Sequence, residues 1–211
     1  MKDYHDYVSK IPYKWPLSSQ QNKSRANYWW LYHWSLNNTG GIGLKKSIVS
    51  VSRRTDIPAF FGDWFVQQLE KGHTTVYHPY KHKRITVSLE PQDVAAFVFW
   101  SKDYRPFWNY LDVFDRRGYS FVFHYTITGL PSIFEPKVPS AEESCQTLKL
   151  ISQRYSPQHI TWRYDPIILT DLTPPDYHID KFRDLCKQLE GYTKRCYISF
   201  VNLYSKVLRS L

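Results

Sequence analysis

The chain has 211 residues, of which 42% are apolar and 18% aromatic, a composition that excludes an intrinsically disordered protein. The formal net charge is +9, and residues 1–46 carry seven Lys or Arg against two Asp, so the body of the chain is only mildly basic. No stretch approaches the ~20 apolar residues that cross a bilayer, and the N-terminus lacks a signal-peptide pattern, so we expect a cytoplasmic protein without a membrane anchor.

Residues 1–46 show no steady period of 2 or 3.6, and an aromatic cluster at residues 28–34 precedes a glycine-containing stretch typical of a linker. This pattern predicts an irregular N-terminal extension in front of one domain, residues 47–211. The aromatic cluster, beside Lys23 and Arg25, could stack nucleic-acid bases. Packing of the extension against the domain is the commoner role for such aromatics, and the two hypotheses stay open.

From residue 47 onwards, short apolar runs alternate with amphipathic segments. Runs rich in β-branched or aromatic residues predict five strands, at residues 47–52, 96–100, 120–125, 159–163 and 195–200. Apolar spacing of three to four residues predicts four helices, at residues 58–71, 105–117, 140–155 and 174–190. Residues 74–78 and 84–88 flank a turn-like stretch and predict a hairpin that interrupts the series.

Several helix ends carry residues with a physical reason to be there. Ser140 and Glu143 form a candidate capping box, and Thr173 before Pro174 predicts an N-cap followed by the first helical residue. Gly72, Gly118 and Gly191 occupy positions where a left-handed residue ends a helix. These signals support the four predicted helices.

The alternation of strands and helices predicts the fold. Parallel strands need long crossovers, which the helices supply, and the connections should be right-handed. Five strands are too few to close an eight-stranded barrel. We therefore expect an α/β fold, a parallel-stranded partial (β/α) barrel that is incomplete relative to a TIM barrel.

Polar side chains lie at or just after the predicted strands. Ligands of parallel α/β proteins bind at the carboxyl ends of the strands, so these side chains predict a site for a small anionic or nucleotide-like ligand. The candidate ligand-binding residues are Arg53, Arg54, Asp56, Lys102, His124, Arg163 and Asp165.

Individual members of this set have further expected roles. Asp56 should cap the helix that begins near Pro58, and Asp165 or Asp56 should pair with an arginine, leaving another guanidinium for a ligand. A lone histidine within a strand is more often a core residue than a catalyst, so His124 would act as an acid or base only if it faces the site.

The positions of the cysteine and histidine residues do not favour a disulfide framework or a metal site. Cys145, Cys186 and Cys196 are too widely separated for a disulfide framework or a Cys-x-x-Cys metal clip, and we expect them to be small buried apolar residues. His73, His78 and His82 lack a fixed ligand spacing. No metal site is therefore predicted.

Four segments in this order resemble the uncharacterised family called domain of unknown function 1848. They are residues 50–59 (SVSRRTDIPA), 98–102 (VFWSK), 161–167 (TWRYDPI) and 191–200 (GYTKRCYISF). The resemblance spans about residues 47–207. It implies a likeness to radical S-adenosylmethionine proteins of the photoproduct-lyase type, with a partial (β/α) barrel and a cysteine-rich tail suited to an iron–sulfur cluster.

This chain stops near the fifth strand and has no cysteine-rich tail. The resemblance therefore implies that an iron–sulfur cluster and S-adenosylmethionine would be bound only with a missing C-terminal segment, and that this chain alone holds no cofactor. The leading hypothesis is an incomplete radical-S-adenosylmethionine-like enzyme domain. The alternatives are a non-catalytic module that binds nucleic acid weakly through its N-terminal extension, and an inactive truncated fragment.

Overall fold

The computed structural model describes residues 46–51, 54–77 and 83–201. In chain order the elements are β1 (Ser47–Val51), α1 (Ile57–Phe60), α2 (Gly62–Lys71), β2 (His73–Tyr77), β3 (Arg84–Ser88), β4 (Val94–Ser101), a 3₁₀-helix (Pro106–Tyr110), α3 (Leu111–Arg117), β5 (Phe121–Thr126), α4 (Ala141–Arg154), a 3₁₀ turn (Pro157–His159), β6 (Ile160–Ile167), α5 (Pro175–Leu189) and β7 (Arg195–Phe200). Residues 1–45 of the predicted N-terminal extension, together with Arg53, His78 and His82, lie outside the described residues.

Five strands form one parallel sheet in the order β1-β4-β5-β6-β7. This arrangement confirms the predicted α/β fold with a parallel sheet in sequence order. Strands β2 and β3 pair antiparallel in a separate two-stranded sheet, as predicted for the hairpin. Closure of the five strands into part of a barrel stays a prediction.

The hydrophobic core lies between one face of this sheet and helices α2–α5. Phe97 and Phe123 are fully buried, and the aromatic rings of β4 and β5 pack edge-on against rings from the helices, including Phe65 and Phe114. Residues one position along each strand point to the opposite face, because side chains alternate. We call this opposite face the open face, since helices α2–α5 pack on the other side.

Two of the four predicted helices are divided. The helix expected over residues 58–71 breaks at Phe61, which ends α1 and precedes α2, and Phe61 is 44% exposed instead of facing the core. The chain is closely packed next to this break, since a Cβ at Gly62 would lie 2.2 Å from the ring of Tyr110. The helix expected over residues 105–117 begins as a 3₁₀-helix. The other two helices match their predicted ranges within one or two residues.

The capping predictions are mostly confirmed. The Ser140 hydroxyl accepts a hydrogen bond from the Glu143 amide, and the Glu143 carboxylate accepts one from the Ser140 amide. Gly72 ends α2 with φ of 72°, and the other two predicted glycines are also left-handed. The N-cap prediction for Thr173 is wrong, because its buried hydroxyl donates to the Ile168 carbonyl oxygen at 2.6 Å, and Pro174 occupies the cap position.

The burial prediction for the cysteines is confirmed for one of the three. Cys145 on α4 is buried, whereas Cys186 on α5 and Cys196 on β7 are exposed. Cys196 lies on β7, the last strand of the sheet, and Cys186 lies at an exposed position of α5, so neither side chain is covered by the described core. In the described ranges, no helix is long and apolar enough to cross a bilayer.

Candidate functional site

Six half-buried side chains gather on the open face of four adjacent strands, β4 to β7. The parallel register places Trp100 beside His124, and Arg163 beside Tyr197. We call the set the open-face cluster; its members are Trp100, His124, Arg163, Asp165, Tyr197 and Ser199. Strand alternation explains why they share one face, because Trp100, His124, Arg163 and Asp165 each lie one position from a buried residue of their own strand, and the register places Tyr197 beside Arg163.

An ion pair holds the centre of this cluster. The Arg163 guanidinium contacts the Asp165 carboxylate, and the side chains are only 14% and 21% exposed. The other carboxylate oxygen of Asp165 accepts a hydrogen bond from the Ser199 hydroxyl on β7. Asp165 therefore links two neighbouring strands and orients the arginine, which agrees with the prediction that Asp165 would pair with a guanidinium.

Aromatic rings surround the arginine. The Arg163 Cζ lies 5.0 Å from the centroid of the Trp100 ring, a cation–π distance. The His124 ring stacks on Trp100 with centroids 4.0 Å apart and planes at 16°, and it lies nearly parallel to Tyr197 at 6.1 Å. The Trp100 indole N–H donates to the Ser50 hydroxyl at 2.9 Å. These contacts form a fixed aromatic surface beside a cation.

Asp56 has a structural position apart from this cluster. Its carboxylate caps α1 by accepting from the Ala59 amide at 3.0 Å, and it accepts from the Ser101 hydroxyl at 2.9 Å and the Lys102 amide at 3.2 Å. Burial raises the pKa of Asp56, and these hydrogen bonds act in the opposite direction. Asp56 thus ties the loop after β1 to the end of β4, as the capping prediction required.

Lys102 forms an ion pair with Glu135, which lies in the loop between β5 and α4. The Glu135 carboxylate also accepts from the Thr128 hydroxyl at 3.0 Å. Glu135 lines a cleft of about 390 Å³ at the carboxyl end of β5, together with residues 126–130, the first turn of α4 and Lys181 from α5. The cleft is large enough for a small metabolite.

The remaining predicted site residues have separate positions. Arg54 is exposed and donates a hydrogen bond to the Tyr77 carbonyl oxygen at 3.2 Å, and Arg53 lies outside the described residues. His124, for which a core position was favoured, is half-buried on the open face. Sequence reasoning did not select Trp100, Tyr197 or Glu135. The alternation of Trp100 with buried Phe97 and Phe99 was the available signal for the first of these.

The described side chains do not provide the ligand set of an iron–sulfur cluster. Cys145 lies on the buried side of α4, and burial raises the pKa of its thiol to about 11, which disfavours the thiolate that binds iron. Cys186 and Cys196 lie on another part of the molecule. Within the described ranges, no three His, Cys, Asp or Glu side chains are grouped to hold a metal ion.

Comparison with known proteins gives one match. The sequence model of a family described as "Domain of unknown function (DUF1848)" matches residues 48–211, which include the five-stranded sheet except Ser47. No curated protein and no solved structure matches the chain.

Proposed function

The chain belongs to the DUF1848 family, which is described as a domain of unknown function. From the geometry of the site, we propose that it is an enzyme domain that binds a small anionic or nucleotide-like ligand. The ligand would bind on the open face, at the carboxyl ends of β4–β7. The observation that carries this proposal is Arg163, a half-buried guanidinium oriented by Asp165 and stacked over Trp100.

A half-buried arginine suits recognition of an anion for two reasons. Its guanidinium has five N–H donors in a planar fork, which matches the oxygens of a carboxylate or phosphate. Its surroundings are also only partly hydrated, and charge interactions are stronger where water is excluded. The Asp165 contact fixes the orientation of the guanidinium, so little side-chain freedom remains to be lost when a ligand binds.

The aromatic members of the cluster favour a ligand with a planar ring. Trp100, His124 and Tyr197 present ring edges and faces beside the guanidinium, and a base or a similar ring can stack there while its anionic group contacts Arg163. His124 would be the acid or base of the reaction, because an imidazole exchanges a proton near neutral pH.

The radical-S-adenosylmethionine interpretation is part of the same proposal. A parallel sheet in sequence order with helices on one face is compatible with part of a (β/α) barrel, and the open face would then line its interior. S-adenosylmethionine carries both a carboxylate and an adenine ring, so it is one candidate ligand. An iron–sulfur cluster would need more thiolates, at closer spacing, than the three cysteines of this chain.

Calorimetric titration of the full chain tests the proposed site. The probes are inorganic phosphate, AMP and S-adenosylmethionine. Arg163→Lys keeps the charge but loses the planar fork, so it should weaken binding of the best probe by about tenfold or more. Arg183→Lys is the matched control, because Arg183 lies on α5 with 57% of its side chain exposed. The proposal fails if no probe binds at millimolar concentration, or if both variants weaken binding equally.

A further inference from the structure

The last strand of the sheet differs from the other four on the face that the helices cover. The apolar core residues that β1, β4, β5 and β6 contribute to this face are at most 6% exposed, among them Val51, Phe99 and Tyr164. On β7 the equivalent residues are Cys196, Ile198 and Phe200, as the register with Trp162 and Tyr164 shows. Ile198 is 52% exposed and Phe200 is 66% exposed.

Helix α5 extends this apolar row. Tyr177 donates to the Gly129 carbonyl oxygen at 2.6 Å, and the side chain of Lys181 lies against Gly129, so that flank of α5 faces the loop that follows β5. Ile179 and Cys186 occupy the opposite flank of the helix, which faces β7. Ile179 is 54% exposed and Cys186 is also exposed.

Strand β7 is also the last strand of the described sheet. Among the described strands, β7 pairs only with β6 and forms one edge of the sheet. An apolar edge strand is a strong site for pairing with another strand, because its backbone groups and its side chains both gain from it. An exposed apolar edge of this kind favours binding of another strand.

We infer that the strand bound here belongs to a second copy of this chain, paired antiparallel through β7 about a two-fold axis at Ile198. Directly opposed residues of two antiparallel strands point to the same face of the sheet. A helix-side residue of one copy must therefore lie opposite a helix-side residue of the other copy, which restricts the register to every second position. The axis at Ile198 puts Ile198 opposite itself and Cys196 opposite Phe200 of the second copy. Each helix-side residue of β7 then lies opposite an apolar residue of the second copy, as a self-complementary interface requires.

The area of this surface agrees with a weak dimer. Since a fully exposed aromatic side chain offers ~150–250 Å², the apolar row and the flank of α5 offer on the order of 500 Å² per copy. Two copies would bury about 1,000 Å², the lower limit for a specific interface, so we expect a dissociation constant on the order of micromolar. This inference does not depend on the proposed ligand site.

Sedimentation velocity of the full chain over about 1–200 μM tests the inference at concentrations around the expected dissociation constant. The mass should rise from 25.2 kDa to twice that value. Ile198→Asp should remain monomeric throughout, and its thermal unfolding should remain cooperative because the residue is half exposed. Leu150→Asp is the matched control, since Leu150 is 51% exposed on α4, away from β7, and this variant should still dimerise.

Cross-linking tests the register in a Cys186→Ser, Cys196→Ser background. Ile198→Cys should form a disulfide between copies under mild oxidation, because opposed residues of antiparallel strands lie ~4.5–5.5 Å apart at Cα. Arg195→Cys should not, since its counterpart would be about 20 Å away. A wild type that stays monomeric overturns the inference, including the case in which residues 202–211 cover the strand. A dimer that survives Ile198→Asp, assembly beyond two copies, or cross-linking through position 195 alone overturns it as well.

Discussion

Replacing Asp165 with Asn tests whether the ion pair on the open face has the energetic importance that its burial implies. The substitution removes the charge that Arg163 contacts and weakens the hydrogen bond from Ser199, while the side chain keeps its shape. Hydrogen bonds to charged groups contribute ~1.5–3 kcal/mol each, and both contacts are partly shielded from water. Since Asn retains one acceptor, we expect the free energy of unfolding to fall by about 1–2 kcal/mol.

Urea unfolding followed by circular dichroism measures this change, and the melting temperature should fall by roughly 2–4 °C per kcal/mol. Asp180→Asn is the control, because the Asp180–Arg183 pair on α5 is mostly exposed and should contribute at most about 0.5 kcal/mol. Equal losses in the two variants would refute the argument that burial makes the Arg163–Asp165 pair significant. So would a stability gain on replacing Asp165.

Three further predictions concern other parts of the chain. The free energy of unfolding of the wild type should exceed that of Asp56→Asn by less and less as the pH rises above 3.8. The reason is that the pKa of Asp56 is raised in the folded protein, so ionisation of this carboxyl destabilises the fold. Denaturant unfolding of both proteins at several pH values checks this. The full chain should bind nucleic acid weakly and with an affinity that falls as the salt concentration rises, and deleting residues 1–46 should abolish most of this binding. Fluorescence anisotropy over a salt series measures both affinities. Anaerobic reconstitution with iron and sulfide should not give a stable stoichiometric cluster, as absorption spectra and metal analysis would show.

Most of the fold could be predicted because it depends on local patterns. The apolar runs of the five strands and the capping box at Ser140 are short-range signals with one structural meaning each. The break at Phe61 could not be predicted in this way, since it comes with the packing of Gly62 against Tyr110, a residue distant in sequence. The exposure of Cys196 had the same origin, because a strand does not encode whether a helix covers it.

For the candidate site, the sequence predicted only its location near the ends of the strands. The rule that ligands bind at the carboxyl ends of parallel strands selected Arg163 and Asp165, which the structure pairs. It did not select Trp100 or Tyr197, because aromatic residues within a strand resemble core residues. The Lys102–Glu135 contact joins residues 33 positions apart, and no local pattern connects them.

Chemical-shift mapping of the indole N–H groups is the most direct test of whether ligands bind on the open face. The Trp100 indole donates to Ser50 on the open face, whereas the Trp162 indole donates to the Ile127 carbonyl oxygen on the face that α5 covers. Assignment by Trp100→Phe and Trp162→Phe would precede titration of the ¹⁵N-labelled chain with AMP. Binding at the open face should give a saturable shift of the Trp100 signal and leave the Trp162 signal unchanged. A shift confined to Trp162, or no shift at Trp100 at saturating ligand, would contradict it.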